Sequence, residues 1–261
     1  MKPARRLRRP IEVGLAFLVL VLAACGGFPE ITEPVGTPLL PDLVAEPPVD
    51  LRVTRLDDGT LEARFSSTLV NVGDGDFALR ASRETGDWAV IQEIWYSESG
   101  AELRASSAEL AFAGDGHEHW HVRRVAGYSL VPLDSSGSPV ENAPERTDAK
   151  IGFCFYDHTH SMGFGDEDPR FDVHECGEEN ATEIRMGLSP GWADVYGFNL
   201  PGQSIDITDL PDGAYRIWAE ADAEGWFEES NKENNTTWID FELTTDGENR
   251  FAMVTEVGPE P

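Results

Sequence analysis

Residues 211–222 read PDGAYRIWAEAD, and this stretch decides the fold class. After the turn residues Pro-Asp-Gly, the apolar side chains of Tyr215, Ile217 and Ala219 occupy every second position. Alternate side chains of an extended strand point to the same face, so this pattern predicts a strand with one face buried. A turn followed directly by such alternation is typical of antiparallel β-structure.

The same pattern recurs in both directions along the chain. Ile239, Phe241 and Leu243 alternate after the polar stretch ESNKENN, and a similar series precedes TLVNV at Leu61, Ala63 and Phe65. The segments IQEIWY, AELAFA and HWHVRRVAGYSLVPL are also strand-like. No long stretch shows the 3.6-residue period of a helix. We therefore predict an all-β fold with a single β-sandwich domain.

The N-terminus has the features of an export signal. Basic residues precede the short apolar run 13–24, which is typical of a secretory signal peptide. Small residues before Cys25 are similar to a bacterial lipobox, which predicts a lipid on Cys25; an ordinary signal peptide with an incidental cysteine is the alternative. We expect a protein that is exported and lipid-anchored to the bacterial cell envelope, on its periplasmic or cell-surface side.

These features give a predicted division of the chain. Residues 1–24 are the lipoprotein signal peptide, and the proline-rich residues 25–48 are the lipid anchor and a tether in which PDLV is the first docked piece. Residues 49–245 are long enough for one domain with a sizeable core, and residues 246–261 form an acidic C-terminal tail that we expect to be loose beyond a last short strand.

The chain is strongly acidic. Residues 1–24 carry five basic side chains and one acidic side chain, so their removal changes the formal net charge from −28 to −32. Such a surface does not bind nucleic acid or an anionic bilayer by charge. It would attract cationic molecules, although solubility or a saline habitat explains the charge equally well.

Two cysteines remain after Cys25. An exported protein can keep a disulfide, which predicts a Cys154–Cys176 bridge; two free buried thiols are the alternative. A bridge would stabilise the fold by roughly 3 kcal/mol in the loop-entropy description.

A histidine cluster is the strongest chemical signal in the sequence. Residues 117–121 read HEHWH and contain half of the six histidines, and on a strand His117, His119 and His121 share one face. Neutral imidazoles suit copper, zinc, nickel or iron, and three of them leave a coordination position open for chemistry. An exposed histidine run, or histidines satisfied by hydrogen bonds, is the structural alternative. We expect the long irregular segment 157–190 to lie around this metal site.

Spacing does not choose between copper and zinc. A zinc hydrolase would need a carboxylate beside the metal-bound water, and strand alternation points the nearest one, Glu118, away from the histidine face. The remaining histidines, His158, His160 and His174, read as loop residues.

Further motifs follow in a fixed order. GDGHEHWHV is followed by AKIGFCFYD, GLSPGWADVYG, IDITDLPDGAYRIWAEAD and ESNKENNTTWIDFEL. This series resembles the lysyl oxidase family of copper-dependent amine oxidases, which carry a lysine tyrosylquinone cofactor. The resemblance runs from PDLV at residue 41 to about residue 243. HxHxH alone is moderately specific, whereas the ordered set is highly specific.

The resemblance assigns roles to individual residues. It implies that His117, His119 and His121 bind copper, and that Lys150 and Tyr196 form the lysine tyrosylquinone. The implied substrates are dioxygen and a primary amine, either peptidyl lysine or a small cationic amine, and the products are an aldehyde, ammonia and hydrogen peroxide. The catalytic base is open: Asp194 lies two residues before Tyr196, and Asp157 is another candidate.

The residue chemistry agrees with these roles. Beyond residue 24 the chain has two lysines, Lys150 and Lys232, and only a lysine can supply the deprotonated amine that the cross-link needs, because arginine stays protonated. A strand-end surface lysine is the alternative for Lys150, and a core tyrosine for Tyr196. Tyr128, Tyr156 and Tyr215 are rival tyrosines.

The chain also departs from the animal members of the family. It can form one domain disulfide where they have several, and Trp192 stands where they carry a cysteine. These departures leave the substrate open. A metal-binding cell-envelope β-sandwich without turnover and a zinc hydrolase are the competing hypotheses.

Overall fold

The structure is a computed structural model that describes residues 32–113, 118–148 and 152–260. Over these ranges the chain forms strands and a single short 3-10 helix, Val173–Cys176. This helix is not long and apolar enough to span a membrane. The strands are β1 Leu43–Ala45, β2 Val49–Arg55, β3 Leu61–Asn71, β4 Phe77–Ser82, β5 Ala89–Trp95, β6 Ala101–Ser106, β7 Leu110–Ala113, β8 His119–Val122, β9 Ala126–Pro132, β10 Arg146–Asp148, β11 Thr159–His160, β12 Glu183–Leu188, β13 Trp192–Tyr196, β14 Ser204–Asp206, β15 Gly213–Ala221, β16 Thr236–Asp246 and β17 Asn249–Val257. The all-β prediction is confirmed.

The long strand β3 organises a six-stranded antiparallel sheet. Its C-terminal half lies between β1 and β13, β11 extends the sheet beyond β13, and the N-terminal half of β3 pairs with β2 and β14. In the β13 pairing, Tyr196 lies opposite Ser67 and Asp194 opposite Leu69. Pairing with β3 therefore fixes the register of β13, and with it the position of Tyr196 in the sheet.

A five-stranded antiparallel sheet in the order β10-β9-β15-β16-β17 covers this sheet. The alternating residues of β15 and β16 point into the shared core, as Ile217 and Phe241 show by their complete burial. Phe65 of β3 contacts Tyr128 of β9 with ring centroids 5.1 Å apart, so one hydrophobic core joins the two sheets. Burial of a side chain such as Phe65 contributes roughly 1.5–3 kcal/mol.

Two smaller sheets complete the domain. A four-stranded sheet has the order β12-β4-β5-β6, and β7 and β8 form a two-stranded sheet that carries the histidine segment. The edge-to-face contacts of Phe77 with Phe155 and Phe227 connect the four-stranded sheet to the core. The histidine strand is thus bordered by a packed scaffold rather than by loops alone.

The proline-rich segment docks against the domain from residue 32, where the described part of the chain begins. Val35 bonds to Ser99, and β1 is fully buried beside β3. At Gly73 and Gly75, in the NVGDGD turn, an added Cβ would collide with the backbone of residues 39–42. Glycine is needed in this turn because the incoming chain passes so close to it.

The strand pattern differs from the sequence prediction in several places. The stretch HWHVRRVAGYSLVPL is two strands, because Arg124 adopts a left-handed conformation (φ 53°) between β8 and β9. Strand β12 lies inside the segment predicted as irregular, and the last short strand expected in the tail is the nine-residue strand β17. Pairing with β4 and β16, respectively, supplies hydrogen bonds that local sequence does not reveal.

Candidate metal and cofactor site

The histidine strand shows the alternation that its sequence predicts. In β8 the side chains of His119 and His121 are half-buried, whereas Trp120 and Val122 are buried on the opposite face. The imidazole rings of His119 and His121 lie 4.8 Å apart, centroid to centroid. His117, the third predicted ligand, lies outside the described residues.

The GFCF segment lies alongside this strand. Val122 and Phe153 exchange two backbone hydrogen bonds of 2.8 and 3.1 Å. A Cβ added at Gly152 would lie 3.0 Å from the Cβ of His121, so a larger residue at this position would crowd the histidine. The pairing brings Cys154 to the histidine face, while Lys150, the predicted cofactor lysine, lies outside the described residues.

Tyr196 ends its strand directly against these groups. Its hydroxyl oxygen accepts a hydrogen bond from the Cys154 amide at 3.1 Å and lies 3.3 Å from Nε2 of His121. Its ring packs against Phe153, with centroids 4.4 Å apart, and the residue is only 7% exposed. The fold thus joins a histidine and a tyrosine that are 75 positions apart.

Two of the three rival tyrosines lie away from the site. Tyr128 is buried against Phe65, and the hydroxyl of Tyr215 donates to the carbonyl oxygen of Pro211. Both belong to the five-stranded sheet. Tyr156 lies at the cavity described below, so it is the one rival near the site.

The structure contains the predicted disulfide between Cys154 and Cys176, with Cα atoms 5.9 Å apart. It joins the GFCF segment to the 3-10 helix Val173–Cys176. Asp172 begins this helix by accepting a hydrogen bond from the amide of His174. The disulfide therefore fixes this helix beside Tyr196.

A cavity of about 1310 Å³ opens in front of these residues. His119, Tyr196 and Tyr156 line it, together with side chains that the sequence prediction left out. These additional residues include Glu118, His158, Val173, His174, Glu178, Glu179 and Asn180. The described site is thus open to molecules well above the size of water.

Three histidines were predicted to be loop residues, and two of them, His158 and His174, line this cavity. The ring of His158 stacks on Tyr156 with centroids 5.2 Å apart, and His174 lies in the 3-10 helix. His160 instead makes a 2.8 Å hydrogen bond to the carbonyl oxygen of Phe164. Sequence position gave no signal that separates them, because the disulfide and the path of the loop decide which histidine faces the cavity.

Glu118 requires a correction. Strand alternation predicts that it points away from the histidine face, but β8 begins only at His119, and Glu118 has a left-handed backbone (φ 48°). Its exposed side chain borders the same cavity as His119. Alternation does not apply to a residue outside the strand.

The two candidate base residues differ in their surroundings. Asp157 accepts four hydrogen bonds, from the amides of Arg170, Phe171 and Ser189 and from the Ser189 hydroxyl, at 2.7–3.2 Å. Asp194 is fully buried in β13, and neither of its carboxylate oxygens makes a hydrogen bond within the described part of the chain. Asp157 holds the loop together, whereas Asp194 has no comparable structural task.

Burial has a strong electrostatic effect on Asp194. Loss of solvation raises its pKa well above the ordinary value, and the nearby Val195 amide only partly opposes this. Burial, and secondarily the charge of Asp194, also raises the pKa of Tyr156. Asp194 thus favours binding a proton, although it is not among the residues that line the cavity.

The described donors suit copper in kind. His119 and His121 are adjacent imidazoles on one face, a ligand type that copper and zinc accept. Among residues 32–113, 118–148 and 152–260, no group of three or more His, Cys, Asp or Glu side chains is arranged to hold a metal. A complete site of the predicted kind would therefore need His117.

Comparison with known proteins decides the family. The sequence model of the lysyl oxidase family matches residues 109–254, which is more than half of the chain and includes β8, the disulfide and β13. The chain belongs to the lysyl oxidase family.

Individual relatives are more distant. The chain is 28% identical to the protein-lysine 6-oxidase of Homo sapiens over 144 residues, and 26% identical to that of Gallus gallus. In both, the match covers 55% of this chain and 30% of the relative. Lysyl oxidase homolog 2B of Danio rerio is 28% identical over 153 residues, which is 58% of this chain and 15% of that protein. The chain thus spans less than a third of the length of these relatives.

Trp192 of this lysyl oxidase family member is well packed. Trp192 is 7% exposed, its indole N–H donates to the carbonyl oxygen of Asp166 at 2.8 Å, and its ring contacts His160. These contacts hold the 160–166 loop against β13. Trp192 thus braces this loop.

Proposed function

We propose that the chain is a copper-dependent amine oxidase with a lysine tyrosylquinone formed from Lys150 and Tyr196. It would convert primary amines, either peptidyl lysine or small cationic amines, into aldehydes and release ammonia and hydrogen peroxide. The observation that carries the proposal is the 3.3 Å separation of the Tyr196 hydroxyl and His121 Nε2 at the wall of an open cavity. Membership of the lysyl oxidase family supports it.

His119 and His121, with His117, would hold the copper. Copper with dioxygen supplies the oxidising capacity for maturation, and the finished cofactor is the electron sink for the amine. Lys150 stands only four positions before Cys154, whose amide binds the Tyr196 oxygen.

The protein's own groups hold the tyrosine in place. The Cys154 amide and the His121 imidazole contact its oxygen, and Phe153 packs on its ring, so that the ring has little freedom to rotate. Low exposure excludes water from most of the ring, as a reactive carbonyl requires. Asp194 is the proposed base on this strand, and its raised pKa favours accepting a proton.

Peptide mass spectrometry tests the cofactor. Protein loaded with copper in air should yield joined Lys150 and Tyr196 peptides and should produce peroxide when a primary amine is added. Lys150→Arg and Tyr196→Phe should abolish both. The matched controls Lys232→Arg and Tyr96→Phe change the same residue types away from the site and should retain both. Separate, intact peptides in copper-loaded parent protein would refute the mechanism.

One observation favours the alternative hypothesis of a zinc hydrolase: Glu118 borders the same cavity as His119. It predicts zinc occupancy after purification from cells, hydrolysis that Glu118→Gln abolishes, and no peroxide. A copper-loaded protein with neither a cross-link nor hydrolysis would instead be a metal-binding envelope module.

We further propose that the protein acts at the cell envelope, with a lipid on Cys25. Metabolic labelling with a radioactive fatty acid should mark the parent protein and not Cys25→Ala. Equal labelling of both would refute the anchor.

A further inference from the structure

Trp120 links the histidine strand to the opposite side of the cavity. Its side chain leaves β8 on the face away from His119 and His121 and is 9% exposed. Its indole N–H donates to the carbonyl oxygen of Glu178 at 3.0 Å. We name residues 177–181 the wall segment, because Gly177, Glu178, Glu179 and Asn180 line the cavity.

Arg83, directly after β4, binds the same segment. Its Nε donates to the carbonyl oxygen of Ala181 at 2.9 Å, and its Nη2 donates to that of Glu179 at 2.7 Å. Its backbone amide donates to the carbonyl oxygen of Thr182 at 2.9 Å. The wall segment is therefore attached to the four-stranded sheet.

Two tryptophans hold the guanidinium of Arg83. Its central carbon lies 4.6 Å from the ring centre of Trp88 and 4.5 Å from that of Trp120. The two indole rings also meet edge to face, with centroids 5.0 Å apart. A planar cation with several donors can stack on the rings and bind two carbonyl oxygens together, which a lysine ammonium cannot do.

The wall segment has little support of its own. Within it the Ala181 amide bonds to the Glu178 carbonyl oxygen at 2.9 Å, and residues 177–180 line the cavity, whereas Ala181 packs against the core. Gly177 has a left-handed backbone (φ 69°) directly after the disulfide cysteine, and its amide donates to the carbonyl oxygen of His174 at 3.2 Å. The two ends of the segment are thus held in place, and the position of Glu178 and Glu179 between them depends on the contacts made by Arg83 and Trp120.

We propose that Arg83 and Trp120 are positioning residues that set the substrate-size preference of the site. This inference rests on the proposed amine oxidase function. A short amine needs only the part of the cavity next to Tyr196, whereas an amine carried on a peptide extends across it to the wall segment. A fixed wall therefore favours binding of the longer substrate and leaves the chemistry at Tyr196 unaffected.

Steady-state kinetics tests the proposal in copper-loaded full-length protein with n-butylamine and a lysine-containing pentapeptide. Arg83→Lys keeps the positive charge but loses the planar guanidinium that donates to two carbonyl oxygens. Trp120→Phe keeps an aromatic ring but loses the indole N–H donor. Each should raise KM for the pentapeptide by about tenfold, the loss expected from one or two hydrogen bonds. KM for butylamine and both kcat values should stay within about twofold. Arg104→Lys, an exposed arginine of β6, should change neither substrate. Equal effects on both amines, or none, would overturn the proposal.

Hydrogen exchange supplies a readout that does not depend on amine oxidation. In both variants the amides that donate hydrogen bonds at the wall segment, those of Ala181 and of residue 83, should exchange at least about tenfold faster than in the parent protein, while the amides of β15 should remain unchanged. Unchanged exchange in the wall segment would refute the role of Arg83 and Trp120, whatever the kinetics show. Absence of amine oxidation in the parent protein would instead refute the proposed function, and faster exchange would still establish that the two residues hold the wall.

Discussion

Two fully buried aspartates, Asp194 in the tyrosine strand and Asp222 at the end of β15, have opposite surroundings. The Asp222 carboxylate accepts hydrogen bonds from the amides of Trp226 and Phe227 and pairs with Lys232, at 2.8–3.1 Å. The Asp194 carboxylate has no hydrogen-bond partner among the described residues, and burial raises its pKa. One charge is compensated, and the other is left in a low-dielectric environment.

The difference distinguishes a buried carboxylate that stabilises the fold, Asp222, from one whose surroundings suit a chemical role, Asp194. Burying a charge without partners is costly, and proteins keep such arrangements mainly where function requires them. The cluster around Asp222 lies away from the cavity and closes the β15–β16 connection. Asp194 lies two residues from Tyr196, where a group that can take up a proton has a use.

Removal of the compensated carboxylate should have the largest effect on stability. Asp222→Ala leaves the Trp226 and Phe227 amides and the Lys232 ammonium without their acceptor, and it places alanine at a left-handed position (φ 44°). We expect a loss of roughly 3–4 kcal/mol in urea unfolding at pH 7. Asp222→Asn keeps one carbonyl acceptor and tolerates this backbone conformation, so it should lose about half as much. A loss below about 0.5 kcal/mol for both variants would show that the cluster contributes little.

Glu229 in the same cluster should give an intermediate effect that depends on pH. Burial raises its pKa to about 7, although the Leu43 amide and Asn235 donate to it. Because the folded pKa lies above the unfolded value of 4.5, its contribution to stability is fully present below that value and is lost as pH rises through about 7. Between pH 5 and 7.5 the parent protein should lose about 2 kcal/mol more than Glu229→Gln. Glu256→Gln, on exposed β17, should follow the parent, and parallel curves for Glu229→Gln would contradict the prediction.

Substitution of Asp194 should give the smallest change in unfolding free energy, and in the opposite direction. The raised pKa means that the parent protein loses stability as pH rises from the ordinary aspartate range through the folded pKa. Asp194→Asn removes this ionisation and should be more stable at neutral pH by about 1 kcal/mol. In copper-loaded protein the variant should also oxidise amines about 100-fold more slowly, as expected for loss of a general base. A variant that loses stability at neutral pH and keeps full turnover would assign Asp194 a structural role.

The sequence predicted the fold where alternation is strong and failed where pairing partners decide. Tyr215, Ile217 and Ala219 face the core as predicted. Strand β12 was hidden because the alternating residues of EIRMGL lie among glycines and acids, and their burial depends on pairing with β4. Strand β17 is exposed along most of its length, so the sequence indicated a last short strand but not its nine-residue extent.

For the site, the sequence motifs identified residues that the fold brings together, but they did not indicate which other residues line the cavity. HxHxH and GWADVYG led to His119, His121 and Tyr196, which the structure brings together. Glu118, His158 and His174 line the same cavity through loop paths set by a disulfide and by hydrogen bonds between distant segments. Such paths have no local sequence period, so only the folded chain reveals them.

The pairing of Tyr196 with Ser67 across β3 and β13 has a kinetic consequence. The two residues are separated by about 130 positions, and contacts of such long range form late and slowly because a long loop must first close. Tyr196 and His121 therefore meet only after the central sheet has assembled. Any modification of Tyr196 that needs His121 is confined to molecules that have completed folding, so that unfolded chains keep an unmodified tyrosine.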